Sequence, residues 1–205
     1  MVPSNAPSER WFIANPKWHS SQSQRGLLLD RDGVINLDID FAHRQEDIVF
    51  IPGIFELCSL AVARGYLPII ITNQSGIGRG LFSEEQFRDL TLWMFDIFSA
   101  EGTELAGLYY CPTHPTSGVG VWKRESKMRK PEPGMFKRAI QDFRLSPELT
   151  IAIGDRPRDA LAAARAGIGT NLLLGSSEVE LQGEAGSTTI VIEDLPGAVP
   201  FLTLP

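Results

Sequence analysis

The chain has 205 residues, is 43% hydrophobic and 21% charged, and carries a net charge of −6. That length suits one domain with a real core, and the acidic balance argues against a general nucleic-acid binder, which needs a basic surface. No stretch reaches the about 20 apolar residues of a membrane-spanning helix, so a helical span is excluded.

Residues 1–24 are rich in Ser, Pro, Asn and Gln and are expected to form an irregular N-terminal arm. Trp11, Phe12 and Trp18 are large for a free tail, so part of the arm should pack on the domain. The arm lacks the basic start and apolar run of a signal peptide. Cys58 and Cys111 are too few for a disulfide framework. Both features point to a reducing, cytoplasmic setting.

From Gly26 a regular alternation begins. Leu27-Leu28-Leu29 reads as a buried strand ending at Asp30. Pro52-Gly53 opens a helix carrying Ile54, Leu57, Cys58 and Ala61, which stops at Gly65. Residues 67–71 form the next strand, and 72–76 a loop. Ser83 and Gln86 form a capping box for a helix with Phe87, Leu90, Met94 and Phe98 on one face. Residues 105–110 make a strand, 111–131 a loop rich in Pro, Gly, Lys and Arg, and 135–143 a helix. The chain closes with strand 149–153, helix 159–166, and strands 171–174 and 189–192. This order predicts an α/β fold: a doubly wound parallel sheet with helices on both faces, in a single domain over residues 25–205. Ligands of such sheets bind at the carboxyl ends of the strands. Asp30, Thr72, Cys111 and Asp155 stand there.

Those strand ends are unusually polar. In Asp30-Arg31-Asp32-Gly33 the two carboxylates lie at i and i+2, on one side of an extended chain. Two anions so close repel unless a cation joins them, and Asp155 can complete an oxygen set of the kind that holds Mg²⁺. D-x-D-G is also ordinary turn chemistry; the other polar strand ends, following in order, favour a site. Thr72-Asn73-Gln74-Ser75-Gly76 can hold phosphate oxygens with its hydroxyl and N–H groups, or be a plain turn. Arg129-Lys130 can neutralise charge on a transferring phosphoryl group, or be a solvated basic loop. Asp159, four residues after Asp155, can serve the site or complement a helix N-terminus.

In this order the motifs resemble the haloacid-dehalogenase-like phosphatase superfamily. The wording of residues 30–36, Asp-Arg-Asp-Gly-Val-Ile-Asn, of 72–80, of Cys-Pro-x-His-Pro at 111–115 and of Arg-Lys-Pro-x-Pro-Gly at 129–134 is similar to the heptose 1,7-bisphosphate 7-phosphatases. Histidinol-phosphate phosphatases are similar too. The resemblance spans roughly residues 26–175. It implies a Rossmannoid fold with no large cap domain, and a Mg²⁺-dependent phosphomonoesterase acting on a small phosphorylated sugar. By the resemblance, Asp30 is the nucleophile and Asp32 the general acid and base. Thr72 and Lys130 steady the phosphoryl group. Asp30, Asp155 and the main-chain carbonyl of Asp32 hold the metal. Asp38, Phe41, Asn73, Gln74, Ser75, Arg129 and Arg156 contact substrate.

The family often carries a structural zinc, with ligands Cys-x-His and then Cys-x-Cys. Here Cys111 is followed by Thr113, and Ser126 and Met128 stand at the later positions. No structural zinc is expected, and the loop should instead be held by packing through Val121 and Trp122, or be mobile. The expected substrate is heptose 1,7-bisphosphate. Histidinol phosphate, and a non-catalytic binding module on the same fold, are the alternatives. A monomer without nucleic-acid or membrane partners is expected.

Overall fold

The computed structural model describes residues 11–19, 23–175 and 189–204. Residues 1–10 and 20–22 of the expected arm lie outside the described residues.

Among the described residues seven strands form one sheet: β1 (Phe12–Ala14), β2 (Arg25–Leu29), β3 (Tyr66–Asn73), β4 (Gly107–Cys111), β5 (Ile151–Gly154), β6 (Thr170–Leu174) and β7 (Thr189–Ile192). The spatial order is β1-β4-β3-β2-β5-β6-β7. All neighbours pair in parallel except β1 and β4. Among the described residues five α-helices connect the strands: α1 (Ile54–Ala63), the short α2 (Ser75–Gly78), α3 (Glu84–Ala100), α4 (Gly134–Phe143) and α5 (Pro157–Arg165). All of β4 and β5, and all but the first residue of β2, are buried. Strands buried on both faces are the mark of a parallel sheet covered by helices.

The chain runs outward from β2 through β3 to β4, then returns to the other side of β2 as β5. That reversal opens a crevice between β2 and β5 at their carboxyl ends. The Asp30 amide donates to the Ile153 carbonyl at 2.9 Å, carrying the β2–β5 pairing to the crevice mouth. Among the described residues no helix is long and apolar enough to cross a membrane.

Three sequence expectations are corrected. Part of the expected irregular arm is an edge strand: Phe12, Ile13 and Ala14 pair with Tyr109, Leu108 and Gly107. Trp11 is buried there, and its ring lies 6.2 Å from that of Trp122. The expected loop at 72–76 is strand through Asn73 and a helical turn from Ser75. In the loop before α4, Trp122 packs as expected but Val121 is 66% exposed. Beyond the elements read from the sequence, a 3₁₀ segment at Leu195–Phe201 packs on α1, and Arg25 Nη1 donates to the Thr203 carbonyl at 2.8 Å. The capping box is as read: Gln86 N donates to Ser83 Oγ at 3.0 Å, and Ser83 N to Gln86 Oε1 at 2.8 Å.

Candidate active site

The carboxyl ends of β2 and β3, with the loop before α4 and the first turn of α5, line a cleft of about 230 Å³. Behind Asp30, which lines it, sits the Lys130 ammonium, 1% exposed in its side chain. Its Nζ meets Asp30 Oδ2 at 2.8 Å, Asp159 Oδ1 at 2.7 Å and the Ile71 carbonyl at 2.9 Å. Three acceptors match the three protons of an ammonium group. The loop that delivers Lys130 is clipped by Asn73. Its Oδ1 accepts from Lys130 N and its Nδ2 donates to the Lys130 carbonyl, both at 3.1 Å.

Asp159 does two jobs. One oxygen faces Lys130; the other accepts from Arg156 N at 3.0 Å, capping α5 at its third residue. Gly154 makes this possible, because a Cβ there would sit 2.2 Å from that of Asp159. Gly33 is needed for two reasons: its φ is +86°, and a Cβ would sit 2.3 Å from Asp155 Oδ2.

Burial pushes the Asp30 carboxyl up to about 7; Lys130 pulls it down, while Asp159 and Asp155 push it further up. Burial likewise raises Asp155 to about 6, with Asp159 adding to it and Arg156 opposing. Burial alone would lower the Lys130 amine, but Asp159 and Asp30 outweigh it and hold it above its usual value. One ammonium therefore does not satisfy three acids. Carboxylate oxygens of Asp30, Asp155 and Asp159 come within 4.8 Å of one another. This all-oxygen set, short of positive charge, fits Mg²⁺. Asp30 lines the cleft and Asp155 is 15% exposed in its side chain against 4% for Asp159, so Asp30 and Asp155 are the side chains that could hold the ion.

Asp32 lies apart from that cluster. Its Oδ1 accepts from Arg31 Nη2 at 2.7 Å, Arg31 Nε at 3.0 Å and Asn36 Nδ2 at 3.0 Å. Its Oδ2 accepts from Arg31 Nη2 at 2.8 Å and Gln74 Nε2 at 2.9 Å. Its side chain lines the cleft and is not among the carboxylates grouped within 4.8 Å.

Of the residues expected to contact substrate, Asp38, Phe41, Asn73, Gln74, Ser75 and Arg129 line the cleft; Arg156 does not. Arg156 Nη2 reaches Asp38 Oδ2 at 3.2 Å and its Nε reaches Asp155 Oδ2 at 3.0 Å, so it ties two acids together at the rim. Arg158 takes the cleft-lining place, joined by Arg79, His114, Asp40 and Gly76. Gly76 belongs to the 72–76 loop read from the sequence; Arg79, His114 and Arg158 were not singled out there. Arg79 stood inside the Gly-rich 72–80 motif, and a cation in a candidate phosphate loop was the available signal. Arg158 offered none beyond its charge. Asp40 and Phe41 hold φ of +56° and +61°, a backbone that costs a residue with a Cβ about 1–2 kcal/mol. The Arg79 guanidinium lies 5.1 Å from the Phe41 ring centre and braces that loop.

The four zinc-loop positions do not fit zinc. Cys111 Sγ lies 3.2 Å from Thr113 Oγ1, and Ser126 Oγ accepts from Met128 N at 3.1 Å. One thiol beside two hydroxyls and a thioether lacks the four Cys or His ligands of a structural site.

A HAD-hydrolase-like family model matches residues 127–198. The D-glycero-alpha-D-manno-heptose-1,7-bisphosphate 7-phosphatase of Burkholderia mallei is 45% identical over 88% of this chain and 95% of its own. The corresponding beta-anomer enzyme of Vibrio cholerae is 43% identical over 83% of this chain and 93% of its own. The D,D-heptose 1,7-bisphosphate phosphatase of B. bronchiseptica, solved with magnesium and phosphate, superposes with a TM-score of 0.71 at 28% identity, covering 87% of this chain and 97% of that one. With its acidic cluster at the switch point of a parallel sheet, the chain belongs to the heptose-bisphosphate phosphatase family of the haloacid-dehalogenase-like hydrolases and is a phosphatase.

Proposed function

We propose that this phosphatase uses Mg²⁺ to release the 7-phosphate of D-glycero-D-manno-heptose 1,7-bisphosphate. The observation that carries the reading is the polarity of the cleft. Asp30, with Lys130 at 2.8 Å behind it, shares the cleft with Arg79, Arg129, Arg158 and His114. Burial lowers the Arg129 guanidinium below its usual value, and Arg158 and Arg79 lower it further, so the three cations are close enough to repel. His114 is lowered by burial and then by Arg129 and Arg79. Such a group asks for an anion, which the second phosphate of a bisphosphate supplies. Histidinol phosphate brings an amine there instead, and is disfavoured.

In the proposed reaction an Asp30 oxygen attacks phosphorus and the bond to the sugar oxygen breaks, leaving an aspartyl-phosphate. Asp32 gives its proton to the departing oxygen, then takes one from the water that attacks the aspartyl-phosphate. Phosphate leaves and the Asp30 carboxylate is regenerated. Lys130 and the Thr72 hydroxyl face the charge that builds on the phosphoryl oxygens. Bound Mg²⁺ would neutralise phosphate charge beside Asp30 and Asp155.

Phosphate release from both heptose anomers and from histidinol phosphate, with Mg²⁺ and with Asp30→Asn as control, tests this reading. Rapid release from one heptose anomer supports it; preference for histidinol phosphate refutes the substrate. Arg158→Ala should raise KM for the bisphosphate roughly tenfold and leave kcat nearly unchanged. Its effect on heptose 7-phosphate should be small, and an equal effect on both would remove the rim from the account.

Metal binding should depend on pH. The Asp30 and Asp155 carboxyls sit above the usual 3.8, so in metal-free protein their contribution favours the fold at low pH and is lost as pH rises through about 6 and 7. Protons therefore compete with Mg²⁺ at low pH. The rise in melting temperature on adding Mg²⁺ should be larger at about pH 8 than at about pH 5.5, and absent in Asp155→Asn. An equal rise at both pH values would exclude these two ligands.

A further inference from the structure

The Gln74 side chain lines the cleft and ties two site residues together. It is 3% exposed. Its Nε2 donates to Asp32 Oδ2 at 2.9 Å and to Thr72 Oγ1 at 3.0 Å. Both of those oxygens can accept, so the Gln74 NH₂ group gives one N–H to each. Both donors of the amide are thus committed to protein acceptors.

The other partners of the Asp32 carboxyl come from its own loop. Arg31, itself 1% exposed, is fixed by the Ala42 carbonyl at 2.8 Å and lies 5.6 Å from the centre of the Phe87 ring. Asn36, fully buried, is anchored to the Leu37 carbonyl at 2.8 Å. Gln74 alone of these three comes from the end of β3, across the cleft floor. Without it, Oδ2 keeps only Arg31, and the carboxyl is drawn wholly toward its own loop. We propose that Gln74 is a positioning residue for the phosphatase reaction: pulling from β3, it sets the orientation from which the Asp32 carboxyl serves the leaving oxygen. The proposal rests on the reading of Asp32 as leaving-group acid given above.

A sugar alkoxide needs a proton to depart, whereas p-nitrophenolate leaves without one. The test is therefore kcat and KM of Gln74→Met on heptose 1,7-bisphosphate and on p-nitrophenyl phosphate. Met keeps the length and removes both donors. The sugar kcat should fall about 10–100-fold, the aryl kcat less than about threefold, and both KM values should hold within about threefold. Retained aryl turnover certifies the fold; if the Met variant does not fold, Gln74→Asn, too short to span both partners, is read the same way. Equal loss on both substrates overturns the proposal in favour of a phosphoryl or purely structural role. A raised sugar KM at unchanged kcat overturns it in favour of direct substrate contact. Asp32→Asn on the same pair separates the layers. Equal loss there sinks the acid reading itself, and the Gln74 proposal with it. Selective loss in Asp32→Asn without selective loss in Gln74→Met overturns the Gln74 proposal alone.

Discussion

Asp30→Asn is expected to lower phosphate release by about 10⁴-fold or more, with the protein still folded. Asp30 is 6% exposed at the end of β2. One oxygen faces Lys130 Nζ at 2.8 Å and the other accepts from Arg31 N at 2.7 Å. Asn has the same shape but no anionic oxygen to attack phosphorus. It also turns an NH₂ toward one of two donors, so the ground state gains nothing in exchange. Steady-state phosphate release, beside a melting curve, is the measurement. A variant keeping a tenth of wild-type turnover would remove Asp30 as the nucleophile.

Lys130→Met should damage both stability and rate. The ammonium is the cation between Asp30 and Asp159, both buried. Removing one member of a buried ionic group leaves the others uncompensated, at a cost of about 3–5 kcal/mol. In a chain of this size that is about 10 °C in melting temperature. The loss should shrink on acidification. Lys130 is what pulls the Asp30 carboxyl downward from the value burial would set. Without it that carboxyl rises further and is neutral over a wider range, and a neutral group tolerates burial. The gap between variant and wild type should therefore be smaller at about pH 5 than at about pH 8. Turnover should fall about 10²–10³-fold, since a fixed positive charge at the transferring group is lost. Lys130→Arg should not rescue, because a planar fork cannot reproduce three acceptors around one nitrogen. Equal melting temperatures for Lys130→Met and wild type at pH 8 would show that the ion group does not hold the floor of the cleft.

Much of the site was legible in the sequence because of what a parallel sheet does to chain order. Every strand of such a sheet ends at the same edge, so Asp30, Thr72 and Asp155, each following an apolar run, are neighbours without any knowledge of packing. Helix starts were legible for a similar reason: the Ser83–Gln86 capping box is satisfied within four residues. Asp159 could be read both as a site acid and as a helix-start charge, and it serves both ends at once.

What the linear pattern could not decide was set by partners far away in the chain. Phe12–Ala14 has no periodicity of its own; it is a strand because β4 leaves an edge whose N–H and C=O groups must be paired. Asn73 and Gln74 look like turn or phosphate-loop residues. Their amides are claimed by the Lys130 main chain and by Asp32, 57 and 42 positions away. Of the two arginines flanking Pro157, Arg156 is the extended N-cap of α5 and bridges Asp38 to Asp155, while Arg158, inside the first turn, lines the cleft. Their charges are identical in sequence; the backbone direction at the start of one helix separates them. The sequence by itself determined the fold class and the order of acids at the sheet edge, since both follow from local periodicity and strand direction. The tertiary structure alone decided which polar side chain faces the cleft and which is spent on another, because that depends on donors and acceptors brought together only when the sheet closes.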